Sequence, residues 1–338
     1  MSPPVHPRTT ALAPARARAV VGGFNDVEEL AQLVGRAIFP MEVVQLTPGR
    51  LRGRLVKIEC RPLDLLMIQA NLPLLSRGSK PHRWLQCGLN LAPIPAGPVQ
   101  LQSHGEAAGD GDLYGLRPHT EAYLISPAGY YSVFITLPRD LFFELAESSG
   151  MPDLERPLRL INTVTIEPGR LQELRALLHQ LLRLAVQQPE LLTLPRLRER
   201  LLGELLPLLQ EALVDGLERR RGQRPPSAPR IDLVKQVDRW LRHNPNRDVS
   251  LDRLCQEVHS SRRTLIRGFR EHLGLGPMQF LKLHRLHAVR HALVRSDPQL
   301  NQVAGVAGQW GFHSAGHFAR DYQELFGELP SDTLRRSA

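Results

Sequence analysis

Cysteine is scarce. The 338-residue chain has three, Cys60, Cys87 and Cys255. An odd, widely separated set does not suggest a disulfide framework, and Cys255 reads as a small inward helix position. No apolar run approaches the roughly 18 residues of a membrane helix. A reducing, cytoplasmic setting and no membrane partner are therefore expected. The devices of common enzymes are missing too: a Gly-rich phosphate loop with its lysine, a GxSxG elbow, an HExxH pair. The expectation is a non-enzyme without a cofactor, with an enzyme fused to a separate binding domain as an alternative. Acidic charge is outnumbered, 34 Asp and Glu against 43 Lys and Arg, a formal +9. Such a balance suits a polyanion, and points to one only where the charge lies on a reading surface.

That surface is found between Val249 and Gly327. Ser250 is a good N-cap. Leu251, Leu254, Cys255 and Val258 follow at the spacing of one apolar helix face. After the turn Val258-His259-Ser260, Ser261 caps a second helix with Leu265 and Phe269 inward. Its outward residues are Arg262, Arg263, Ile266, Arg267 and Arg270. A short helix, a tight turn and an arginine-faced helix suit the major groove of double-stranded DNA, where arginine bonds guanine or phosphate.

The pattern then repeats. Gly276-Pro277 opens a longer helix that runs to Arg295, a spacer of about 28 Å at ~1.5 Å per residue. Val303, Val306 and Ala307 make a short apolar face ended by Trp310-Gly311-Phe312. Ser314 caps a last helix packed through Phe318, Tyr322 and Phe326, with Ala315, His317, Ala319, Arg320 and Gln323 outward. His284, His287 and His291 share one face of the spacer, and the expectation there is a solvent- or phosphate-facing stripe without metal.

Residues Leu254, Ser261, Arg263, Leu265, Phe269, Gly274, Pro277, Arg285, Leu286, Ala288, Leu293, Val306, Ala307, Gly311, Phe312, Phe318, Arg320, Phe326, Gly327 and Pro330 carry a resemblance to the DNA-binding domain of the AraC/XylS family of bacterial transcription regulators. The stretch from Trp310 to Arg336 looks closest to the branch with regulators of ethanolamine utilisation. By that resemblance, Arg263, Ile266 and Arg267 meet DNA from the first reader helix, and Ala315, His317 and Arg320 from the second. His259 stands where the family usually has a turn glycine, and histidine tolerates a left-handed backbone better than most residues.

Upstream, residues 1–23 read as a disordered tail, rich in proline, alanine and arginine. Asp26 caps a short helix with Val27, Leu30 and Val34 inward. Short apolar runs follow at Met41–Leu46, Leu51–Cys60, Leu63–Leu72, Arg83–Leu89, Val99–Ser103, Ala122–Ile125 and Tyr131–Leu137. They predict a sandwich or barrel over 24–168, similar to the family's cupin-like sensor. The usual metal-binding histidines of a cupin are absent; His82, His104 and His119 are scattered. Trp84, Tyr114, Arg117, His119, Tyr123 and Tyr130 are candidate lining groups for an unidentified small-molecule effector.

Leucine-faced helices over 169–221 can pack against the β-domain or make a dimer seam; the resemblance favours a dimerisation region, with Pro207 ending or kinking the second helix. A linker follows at 222–230 and the DNA-binding domain at 231–338. The overall expectation is an α+β multidomain chain: a cupin-like sensor, following helices and an all-α domain with two helix-turn-helix motifs. The resemblance implies a homodimeric transcription regulator, an activator contacting RNA polymerase. An architectural DNA-binding protein without effector is the alternative.

Overall fold

The structure is a computed structural model that describes residues 18–117, 121–151, 153–220, 229–244, 249–298 and 302–336. The chain begins with β1 (Arg18–Phe24), α1 (Val27–Ala37), β2 (Met41–Gln45), β3 (Gly53–Cys60), β4 (Leu63–Ala70), β5 (Leu74–Ser79) and β6 (Trp84–Asn90). Short strands β7 (Gln102–Ser103), β8 (Glu106–Ala107) and β9 (Asp112–Tyr114) precede β10 (Glu121–Ser126) and β11 (Tyr130–Pro138). Next come α2 (Arg139–Ser148), α3 (Glu155–Leu158), β12 (Thr163–Thr165), α4 (Pro168–Gln187) and α5 (Pro195–Arg219). The C-terminal helices are α6 (Pro229–His243), α7 (Leu251–Glu257), α8 (Arg262–Leu273), α9 (Pro277–Val294), α10 (Val303–Gln309), α11 (Ala315–Phe326) and α12 (Pro330–Arg335).

The strands form two sheets, one of seven in the order β1-β3-β4-β11-β6-β9-β12 and one of five in the order β2-β5-β10-β7-β8. Alternation along each strand sends successive side chains to opposite faces. The outer face of the seven-stranded sheet, with Val56, Met67, Cys87, Val133 and Ile135, shares one core with Leu174, Leu178 and Leu181 of α4 and Leu205, Leu209 and Leu213 of α5. Of the leucines on these helices, Leu174, Leu178, Leu181, Leu182, Leu205, Leu209 and Leu213 pack against the β-domain within one chain.

Pro207 does not end α5, which continues through it. Buried Leu205, Leu206 and Leu209 on both sides of the proline hold the helix to the sheet. The expected tail needs correction as well. Residues 18–23 belong to β1, which pairs with β3 from Arg18↔Glu59 to Phe24↔Gly53; residues 1–17 lie outside the described residues. Of the expected linker, Pro229 and Arg230 already belong to α6, and 221–228 lie outside the described residues.

The five-stranded sheet has a different neighbour on each face. Val43, Ser76 and Leu124 are cross-strand partners in one row and line a cavity between the sheets. The adjacent row, Val44, Leu75 and Ile125, shares a core with Val234, Val237, Leu273 and Phe280 of the C-terminal helices. A single layer of strands therefore separates the cavity from the C-terminal domain.

Candidate nucleic-acid interface and the cavity behind it

Short helices need firm ends, and the first helix-turn-helix has them. Ser250 Oγ accepts the Arg253 N–H at 3.1 Å, and Ser261 Oγ accepts that of Thr264 at 3.2 Å. Between them His259 sits at φ 48°, the left-handed backbone its position calls for. Leu265, Phe269 and Leu273 anchor α8 in the core, and Gly274 ends it at φ 72°. Arg262, Arg263, Arg267 and Arg270 are left exposed, with Ile266 half-buried.

The four arginines are not equivalent. Arg262 grips the Asp252 carboxylate with two nitrogens, Nε at 2.5 Å, and so braces α8 against α7. Arg263, Arg267 and Arg270 make no ion pair among the described residues and are the cations a polyanion would meet.

In the second unit Phe318, Tyr322, Leu325 and Phe326 bury one face of α11. Ser314, Ala315, His317 and Arg320 stand exposed on the other side. Ser314 occupies the N-cap position but makes no side-chain capping bond, contrary to the sequence expectation, so its hydroxyl points to solvent without a helical N–H. Arg320 donates to His317 Nδ1 at 3.1 Å. Gly311 and Gly327 take left-handed φ of 82° and 69°, as turn and C-cap glycines do.

The spacer α9 corrects another expectation. Its histidine stripe faces the N-terminal domain. His287 is buried and its Nε2 lies 3.0 Å from Gln45 N and 3.2 Å from Gln45 O. Burial drives its pKa down to about 3, so the ring is neutral and we assign the shorter contact as an N–H donated to Nε2. His284 is likewise pushed down to about 4, by burial first and then by Arg77. His291 stays exposed. Sequence periodicity shows that three histidines share a face but not what that face meets.

The same interface buries charge. Arg77 of β5 pairs with Asp238 of α6, both nearly inaccessible, and with Glu42 at 2.8 Å. Burial alone would lower the Arg77 pKa, yet these carboxylates hold it above the ordinary value. Arg290 of α9, 1% exposed, reaches Asp26 at 3.0 Å, Glu28 at 2.6 Å and Glu328 at 2.5 Å. Gln45 Nε2 donates to Leu325 O at 2.6 Å. His272 Nδ1 lies 2.6 Å from Gln102 Oε1. Neither Arg77 nor Arg290 was singled out from sequence. A buried arginine looks like a surface one until its partners, far away in the chain, are known.

The candidate effector residues separate into groups. Tyr114 and Tyr130 meet inside the cavity, hydroxyl to hydroxyl at 2.6 Å. Their closeness depends on Gly88, where a Cβ would come within 2.3 Å of the Tyr114 ring. Tyr123 borders the cavity from the strand layer facing α6, with Lys235 Nζ 5.1 Å from its ring centre. Its hydroxyl is buried without a partner among the described residues.

Arg117 is not among the cavity-lining residues and is held by Glu106 and Leu160 O, at 2.7 and 3.0 Å. Trp84 borders a neighbouring pocket with Asp64 and Thr136. His119 lies outside the described residues. The residue that sequence reading missed is Lys80, which lines the cavity and whose pKa burial lowers to about 8. Among the described residues, no cluster of three His, Cys, Asp or Glu side chains is placed to hold a metal, and no helix is long and apolar enough to cross a membrane.

A model of a helix-turn-helix domain family matches residues 254–336. The XylDLEGF operon transcriptional activator 1 of Pseudomonas putida is 34% identical over 146 residues, 43% of this chain and 42% of that protein. The probable thc operon regulatory protein of Rhodococcus erythropolis is 34% identical over 103 residues, 30% of this chain and 31% of its own length. The chain thus spans less than half the length of these relatives, and neither is named for ethanolamine utilisation. Of the solved structures, the AraC-like transcriptional activator CuxR aligns over 80% of this chain and 94% of its own, at 13% identity and a TM-score of 0.41.

Proposed function

We propose, from the match of residues 254–336 to a helix-turn-helix domain family and the likeness to operon activators, that the whole chain is an AraC-type, sequence-specific transcription regulator controlled by a small molecule. One observation carries the reading. The C-terminal domain turns Arg263, Arg267 and Arg270 to solvent on α8 while its opposite side is docked on the wall of an internal cavity. The exposed arginine face and an internal cavity thus lie on opposite sides of the docked domain and its shared layer of strands. Occupancy of the cavity shifts the equilibrium between docked and released arrangements of the reader domain, by as much as the ligand prefers one over the other.

In this reading α8 and α11 enter successive major grooves. Arg263, Ile266 and Arg267 face bases or backbone from the first helix, with Arg270 at the phosphates and Arg262 bracing the helix beside them. Ser314, Ala315, His317 and Arg320 do so from the second. Activation through contact with RNA polymerase, a homodimeric state and a cytoplasmic location belong to the same proposal.

Footprinting of the full-length protein on DNA upstream of its own gene, over a salt series, tests it. A bounded footprint that survives competitor DNA is the expected result. Diffuse protection that vanishes steeply with salt would mean that counterion release dominates and would replace the reading with architectural binding.

A further inference from the structure

The cavity between the two sheets has unlike sides. Leu30 and Val34 of α1, with Val43, Ile68 and Phe134 of the sheets, make one side apolar. Lys80, Gln86, Ser103 and His104 border the other. Lys80 is 6% exposed. Its Nζ donates to the backbone carbonyl of Gly115, to that of Arg117 at 3.1 Å and, at the limit of bonding distance, to that of Gln86 at 3.5 Å. These oxygens supply partial charge only, and among the described residues no carboxylate pairs with it.

The surroundings add positive charge. Lys235 and Arg117 act on the same corner, and together with burial they hold His104 neutral. Glu106, the carboxylate on this side, is already engaged by Arg117 at 2.7 Å and Arg220 at 3.9 Å. A buried cation without a counter-charge is costly, and a ligand that brings the missing charge gains what the folded protein lacks.

We propose that this cavity binds a small organic monoanion, its carboxylate set against Lys80 Nζ and its apolar body lodged among Leu30, Val34, Val43 and Phe134. The inference rests on the reading of the N-terminal domain as an effector sensor and names the chemical class of that effector. A carboxylate replaces the long contact to Gln86 O with a charge-assisted bond, and Ser103 offers a hydroxyl on the same side.

The test is isothermal titration of the full-length protein with unbranched acids from butanoate to decanoate and with the matching primary alcohols, at constant ionic strength. At least one acid is expected to bind about tenfold or more tightly than its alcohol, the range of a charged hydrogen bond. Lys80→Gln keeps a donor for the carbonyls but no charge, and should bring acid and alcohol to parity. Val34→Phe, which fills the apolar side, should weaken both alike, with circular dichroism confirming the fold of each variant. Parity in the parent protein, or an acid preference that survives Lys80→Gln, overturns the anion assignment and makes Lys80 a strut for strand ends. Alcohol binding in that case leaves the sensor reading standing. Failure of both series to bind overturns the assignment of this cavity altogether.

Discussion

His287 Nε2 takes the backbone N–H of Gln45 at 3.0 Å, joining α9 of the helix-turn-helix domain to the edge strand of the sheet it docks on. The bond requires an unprotonated imidazole. The folded pKa of His287, about 3, lies below its ordinary 6.5, as does that of His104, also about 3. A depressed pKa gives stability that is fully present above pH ~6.5 and is lost as pH falls toward 3, because the unfolded chain takes up protons first. The loss approaches about 1.4 kcal/mol per pH unit for each such histidine. Urea midpoints at pH 7, 6 and 5 should therefore fall, and His287→Phe should flatten the fall. A midpoint that stays level over that range would mean these rings titrate normally.

The Arg77–Asp238 pair should behave asymmetrically. Asp238→Asn or Arg77→Ala leaves one buried charge uncompensated, at a cost of about 3–5 kcal/mol. Arg77→Met with Asp238→Leu removes both charges and should recover most of that loss. Urea denaturation of the three variants checks it, and a double variant no better than the singles would show that the pair matters through its shape.

On the DNA side, Arg267→Ala should lower affinity by about 1–3 kcal/mol and relax preference at one base position, if the residue reads a guanine. Arg262→Ala removes an exposed brace, which solvent screening makes a minor contributor to stability, and should leave base preference intact. Binding to a randomised operator library, with the selected sequences compared between variants, separates the two. Equal weakening by Arg267→Ala on every sequence would place that residue on phosphate.

Two serines at the same position of equivalent helices should differ. Ser261 caps α8 through Thr264 N–H, so Ser261→Ala should cost about 1 kcal/mol. Ser314 makes no capping bond, and Ser314→Ala should stay within about 0.5 kcal/mol of the parent. Thermal melting reads stability, and DNA affinity then tells whether the Ser314 hydroxyl is reserved for phosphate.

What the sequence made legible was local. The caps at Ser250 and Ser261, the left-handed turn at His259, the glycine ends at 274, 311 and 327 and the inward faces of α7, α8 and α11 all follow from neighbours within a few residues. β2, β3, β4, β6, β10 and β11 also announce themselves as apolar runs between turns. β5 does not, because Ser76, Arg77 and Gly78 interrupt its pattern. Arg77 is needed for Asp238, and a Cβ on Gly78 would sit 2.5 Å from Pro40 O.

The docking of the two domains was invisible for the same kind of reason. His287 and Gln45 are 242 positions apart, and the stripe that holds them together has the look of a wet helix face. Lys80 was overlooked because a lone lysine in a sequence carries no sign of its depth.

The five-stranded sheet imposes a division of labour on adjacent residues. Along β2, β5 and β10 the odd and even positions belong to different tasks: Val43, Ser76 and Leu124 border the cavity, and Val44, Leu75 and Ile125 border the reading domain. The first set can drift toward a new ligand while the second keeps its grip, since none of these six side chains serves both sides, although Tyr123 of β10 borders both. If the chain is the regulator proposed above, it can acquire a new signal by changing alternate letters of three short strands, and keep the same response.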